Sequence, residues 1–103
     1  MSTKHYDKLV RDRIPEIIKE RGRTCKFRIA DSKEYRQKLM EKLQEETAEF
    51  IETPCVEELA DIKEVIDALL LEYKWTGLKA TTQFKKITRG AFKERIILEE
   101  VSE

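Results

Sequence analysis

Apolar positions along this chain recur mostly at helical spacing, with brief alternation near each end. Pro15 fits only the first turn of a helix, because an interior proline removes a ladder hydrogen bond and clashes with the turn before it. A short helix through Ile17 and Ile18 is therefore expected, with Asp12 as its cap and Gly22 as its stop. Phe27 and Ile29 alternate around Arg28, which predicts a short strand over residues 26–30. Asp31 and Glu34 have capping-box spacing and open a long helix to about Glu52. Thr53-Pro54 predicts a second cap and first turn, starting another long helix to about Lys74, and Gly77 ends that run. Leu78, Phe84 and Ile87 predict a further helix ending before Gly90. The β-branched pair Ile96-Ile97, within residues 95–101, is expected to pair with the strand near Phe27. The expected fold class is all-α: an antiparallel helical bundle of about four helices with a small two-stranded β element. The tight Thr53-Pro54 connection makes the two long helices antiparallel neighbours.

Composition narrows the function. The 103 residues suit a single domain with a modest core. Charged residues are 41% of the chain and hydrophobic ones 40%, which argues for a folded helical domain with a charged outside rather than for disorder. Lys and Arg total 21 and so do Asp and Glu, so the basic excess of a nonspecific nucleic-acid binder is missing. No apolar run approaches the roughly 18 residues of a membrane span. The N-terminal MSTKHYDKLVRDR lacks the hydrophobic core of a signal peptide, so a cytoplasmic location is expected. Cys25 and Cys55 form no CxxC pattern and His5 is the lone histidine, so any metal is expected to be held by carboxylates.

The acids then become informative. On a 100° wheel the first long helix has its apolar face at Leu39, Met40, Leu43, Thr47, Phe50 and Ile51. Glu46 sits on the shoulder of that face, and Glu49 lies on the same flank one turn on. In the second long helix Glu58 falls within the arc of Leu59, Ile62, Val65, Ile66 and Leu69, with Asp61 at its edge. Carboxylates in a helix seam must be paired, protonated or bound to a cation. Oxygen clusters of this kind suit Mg²⁺ or Mn²⁺, and through them metal-assisted phosphoryl or nucleotidyl transfer. The plainer alternative is solvated helix faces and salt bridges, since about four i, i+3 acid pairs arise by chance at this acid content. Glu45, Glu57 and Glu64 point more outward, with a supporting role open to Glu45.

The string KLMEKLQEETAEFIE followed by EELADIKEVIDAL resembles the all-α nucleoside triphosphate pyrophosphohydrolases of the MazG-like type. The flanking YDKLVRDRIPEII and KKITRGAFKERIILEEV are similar to the ends of a small single-domain subgroup related to phosphoribosyl-ATP pyrophosphohydrolases. The resemblance spans nearly the whole chain. It implies Mg²⁺-dependent cleavage between the α- and β-phosphates, giving a nucleoside monophosphate and pyrophosphate. It also implies Glu46, Glu49, Glu58 and Asp61 as metal ligands and as the catalytic set. Two departures bear on substrate choice. Only Phe50 to Glu57 separates the two acidic blocks, and Arg89-Gly90-Ala91-Phe92 stands where the subgroup carries a double glycine.

A triphosphate also needs cations, and Lys8, Arg11, Lys86 and Arg89 are the candidates for binding substrate. Tyr6 is a candidate for stacking on a base, while Tyr73 and Trp75 fit a core or subunit contact. Leu69-Leu70-Leu71 points leucines in several directions, so a homodimer or dimer of dimers is expected. The competing reading is a non-catalytic helical dimerisation or regulatory module with a structural cation site. Neither stable nucleic-acid binding nor membrane association is expected.

Overall fold

A computed structural model describes residues 2–102 of the chain. Four helices follow one another: α1 (Ile14–Glu20), α2 (Ser32–Glu52), α3 (Val56–Glu72) and α4 (Leu78–Arg89). The expected all-α class holds, and packing between helices is concentrated in the α2–α3 pair. None of the described helices is long and apolar enough to cross a membrane.

Local chemistry explains most boundaries. The Asp31 carboxylate accepts a hydrogen bond from the Glu34 backbone N–H at 2.8 Å, so α2 begins as the capping-box spacing predicts. The box is only half closed, because the Glu34 carboxylate turns outward and takes both guanidinium Nη groups of Arg28. Hydrogen bonding to Arg28 holds the Glu34 carboxyl below its ordinary pKa. Replacing Asp31 with Ala should cost about 0.5–2 kcal/mol in urea unfolding, the usual range for a lost helix cap.

Two capping expectations are corrected. Arg13, not Asp12, is the N-cap of α1, and no side chain caps the helix, although Pro15 lies in its first turn. Thr53 closes α2, its N–H donating to Glu49 O, and Cys55 rather than Thr53 precedes α3. The reason is spatial. Thr53 is taken up in ending α2, and the chain reverses through Pro54 so that the extended residue ahead of α3 is Cys55.

The two-stranded β element is also corrected: no strand occurs among the described residues. Phe27 and Ile29 are exposed, as are Ile96, Ile97 and Leu98. Arg28 is held to the start of α2 through Glu34, so residues 26–30 lead into that helix rather than toward the C-terminal segment. An isolated two-stranded ribbon is marginal in water without a face to cover it, and none is offered here.

The core lies in the hairpin seam. Leu39 is 1% exposed and is buried with Val65 and Leu69, while Leu9, Tyr35, Leu43, Ala68 and Tyr73 pack around them. Leu9 arrives from the segment before α1, which runs across the hairpin as a strap. The strap carries Lys8 and Arg11 with it, and this is how the N-terminus reaches the acids of α2 and α3.

Candidate metal centre

Glu46 is the centre of the acidic cluster. One turn after Leu43 and one before Phe50, it shares the seam face of α2 and is 5% exposed. Burial pushes its carboxyl above the ordinary carboxylate pKa. Lys42 opposes that shift, while Glu49 and Asp61 add to it. Carboxylate oxygens of Glu46, Glu58 and Asp61 lie within 4.8 Å of one another across the α2–α3 seam. A second group on α2 joins Glu45, Glu46 and Glu49 within the same limit. Glu46 is common to both.

Among the described residues three carboxylate oxygens are buried and accept no hydrogen bond: Oε2 of Glu46 and Oε2 of Glu58 within the cluster, and Oε2 of Glu72 outside it, which has the Arg36 guanidinium 3.6 Å away. A buried carboxylate oxygen without a donor costs free energy, and a cation is the partner that offsets this in an all-oxygen site. The donor set is oxygen only, as Mg²⁺ and Mn²⁺ prefer. These residues therefore fit such an ion.

The other oxygens have cationic neighbours. Arg11 Nη2 donates to Asp61 Oδ1 at 2.6 Å, and its Nη1 lies 3.7 Å from Glu64 Oε1. Lys8 Nζ donates to Glu45 Oε1 at 2.7 Å. Lys42 Nζ stands 3.1 Å from Glu46 Oε1 and 3.3 Å from Glu45 Oε2. The bond to Lys8 lowers the Glu45 pKa, and the same bond raises that of Lys8. Lys8 and Lys4 both lie over the Tyr6 ring, at 5.8 and 5.1 Å, so cations already occupy the approach to that ring.

Six of the eight residues singled out from sequence thus meet around one seam: Glu46, Glu49, Glu58, Asp61, Lys8 and Arg11. Glu49 is more exposed and joins through the α2 group rather than the cross-helix one. Lys86 and Arg89 do not join them. They lie on α4, which packs against no other helix among those described. Lys42 was missed by the sequence reading, although its i, i+4 spacing to Glu46 was a usable signal. Glu45 is more deeply engaged than its outward wheel position suggests, because the strap reaches it.

The strap contacts differ in kind from the buried acids. Arg11 is more than half exposed, and exposed ion pairs contribute little to stability. Arg11→Ala should therefore change stability by no more than about 1 kcal/mol in urea unfolding. A hollow of about 160 Å³ beside Arg11, lined also by Ala60, Lys63, Glu64 and Asp67, is smaller than the roughly 300–1,000 Å³ of ligand clefts. Comparison with protein-family models, with curated proteins and with solved structures finds no match for this chain.

Proposed function

We propose that this chain is a Mg²⁺-dependent nucleoside triphosphate pyrophosphohydrolase. It cleaves the α–β phosphate bond to give a nucleoside monophosphate and pyrophosphate, and it acts as a homodimer or dimer of dimers in housecleaning of non-canonical nucleotides. The observation that carries this reading is the pair of buried, partnerless oxygens of Glu46 on α2 and Glu58 on α3, which meet with Asp61 of α3 at the helix seam. The resemblance of the two acidic blocks to MazG-like enzymes supplies the reaction class.

Glu46, Glu58 and Asp61 would hold the ion, with Glu49 extending the set along α2. A bound Mg²⁺ supplies neutralisation of phosphate charge and a more acidic water. The protein's own part is orientation: the helix seam fixes the carboxylates, and Lys42 steadies Glu46 from one turn earlier. Lys8 and Arg11 stand at the rim of the cluster, where they are positioned to exchange carboxylate partners for phosphate oxygens. If Arg11 does so, Arg11→Ala raises KM for the nucleotide more than it lowers kcat. An equal kcat with unchanged KM would remove Arg11 from substrate binding.

The test of the reaction is pyrophosphate release from canonical and modified NTPs and dNTPs, with Mg²⁺, with Mn²⁺ and with EDTA. Metal-dependent release with the monophosphate as coproduct is expected. A second reading draws on a different observation: Arg11 and Lys42 already neutralise part of the cluster without metal. On that reading the site is structural and the chain is a dimerisation or regulatory module. Stabilisation by Mg²⁺ without hydrolysis of any nucleotide would favour it.

A further inference from the structure

The C-terminal third of the chain is folded in part yet covered by nothing. Every residue of 74–102 is exposed, including Phe84 at 64% and Ile87 at 74%. On α4 the 100° wheel puts Phe84 and Ile87 on one face and Lys85 and Arg89 on the opposite one, a strongly amphipathic arrangement. A helix of 12 residues is marginal in water by itself and owes its stability to burial of such a face.

The hairpin has an uncovered flank of its own. Leu59 and Ile66 are seven residues apart on α3, and Met40 and Ile51 are eleven apart on α2, so each pair forms a line along its helix. All four are exposed. In an antiparallel pair these lines fall on the same side of the seam, opposite the side where Asp61 and Glu45 meet the strap. One chain thus carries an apolar arm and an apolar flank.

The surface area indicates what covers them. The chain exposes 10188 Å², whereas a folded monomer of 12.2 kDa exposes about 6,100 Å². Its radius of gyration is 18.8 Å, against about 13 Å for a compact chain of this length. The excess of about 4,000 Å² is ample for an obligate homodimer, which buries about 1,000–2,500 Å² per subunit.

The arm does not lie on its own flank: α4 packs against no other described helix, and the link before it makes contacts of its own. Tyr73 and Trp75 stack with ring centroids 4.5 Å apart and planes 11° apart, and the Arg36 guanidinium lies 5.2 Å from the centre of the Tyr73 ring. Lys74 and Gly77 both take positive φ, at 55° and 83°, in the turn that leads into α4.

We propose that two copies of this chain exchange arms, the Phe84–Ile87 face of each α4 covering the Leu59–Ile66 flank of its partner. A reciprocal exchange closes on itself under two-fold symmetry and leaves the lysines and Arg89 in water. This specifies the homodimer named above, but it rests on α4 and the hairpin flank alone, so hydrolysis and arm exchange succeed or fail in separate experiments.

Light scattering on the full chain at micromolar concentration should give twice 12.2 kDa. The double variants Phe84→Glu/Ile87→Glu and Leu59→Glu/Ile66→Glu should each run at monomer mass with hairpin helicity retained by circular dichroism. Mixing the two should restore the dimer mass, because one arm and one flank remain intact in the heterodimer. In the wild type, amide exchange in α4 should slow as concentration rises through the dimer range. Exchange in α4 that is fast and independent of concentration overturns the proposal. So does a wild type at monomer mass, whether its arm folds back or binds anionic phospholipid vesicles. A dimer that survives either double variant, or a mixture that stays monomeric, likewise overturns arm exchange.

Discussion

Glu46→Gln is expected to abolish Mg²⁺-dependent pyrophosphate release while leaving the metal-free protein at least as stable as the wild type. The two effects have one cause. Glu46 is buried with one oxygen unpartnered, and burial raises its pKa. Over the interval between its unfolded and folded pKa values the folded state binds more protons, so its relative stability falls as pH rises through that interval. At neutral pH the buried charge is a cost, and the neutral amide removes it. The same charge is what a cation would bind. In the wild type, free Mg²⁺ at a hundred times its dissociation constant should add about 2.7 kcal/mol. For a domain of this size that is about 10–20 °C in Tm. In Glu46→Gln the Mg²⁺ increment should disappear, and the contribution of residue 46 to the pH dependence should go with it. Thermal unfolding with EDTA and with Mg²⁺, over a range of pH, reads all of this. A variant that keeps both the Mg²⁺ increment and turnover would remove Glu46 from the site. Glu58→Gln is expected to lose turnover in the same way, since its buried oxygen faces the same space.

Leu39→Ala should be the most damaging apolar substitution, at about 2–5 kcal/mol. Leu39 is buried with Val65 and Leu69 at the centre of the core, so a methyl group in its place opens the middle of the α2–α3 seam. The packing lost there is a large fraction of what a domain with so small a core can spare. Urea unfolding followed by circular dichroism should show a lower midpoint with an unchanged slope. Leu71→Ala, on an exposed position of the same hairpin, should fall within about 0.5 kcal/mol of the wild type. Equal losses at the two positions would mean that the seam is not the core. Because Glu46 is buried on the same helix as Leu39, the Mg²⁺ increment should also shrink in Leu39→Ala, through displaced ligands rather than lost charge.

The link between these two predictions shows how the chain combines stability and chemistry. Among the described residues the hairpin is the one place where helices pack on each other, and the candidate ligands sit in its seam. Carboxylates there are held by the same register that buries Leu39, Val65 and Leu69. An acid in such a seam is costly to the apoprotein and preorganised for a cation, so loss of the charge should spare metal-free stability while loss of the packing should lower it, although both diminish the Mg²⁺ response.

How much of this was legible beforehand follows from what kind of information each feature needs. The helices of residues 32–52 and 56–72 are written in local periodicity, caps and breakers, and the placement of Glu46 and Glu58 on their inward arcs follows from the wheel alone. Asp31 as a cap and Gly90 as a stop are equally local. The strand pairing was not, because alternation at residues 26–30 says nothing about whether a partner comes within reach, and Arg28 is drawn instead to Glu34. Thr53 lost its capping role to the geometry of chain reversal. Lys8 and Arg11 could be named as basic residues, but only the path of the strap through Leu9 brings them to Glu45 and Asp61. Lys86 and Arg89 are grouped with them because they lie in the C-terminal block before Gly90, yet α4, which carries them, packs against no other described helix. Sequence by itself determined the helices, their inward faces and the identity of the acids, since these depend on neighbours within a turn or two. Tertiary structure alone decided which acids share a space, which cations reach them and which apolar faces stay bare, since those depend on contacts between residues far apart in the chain.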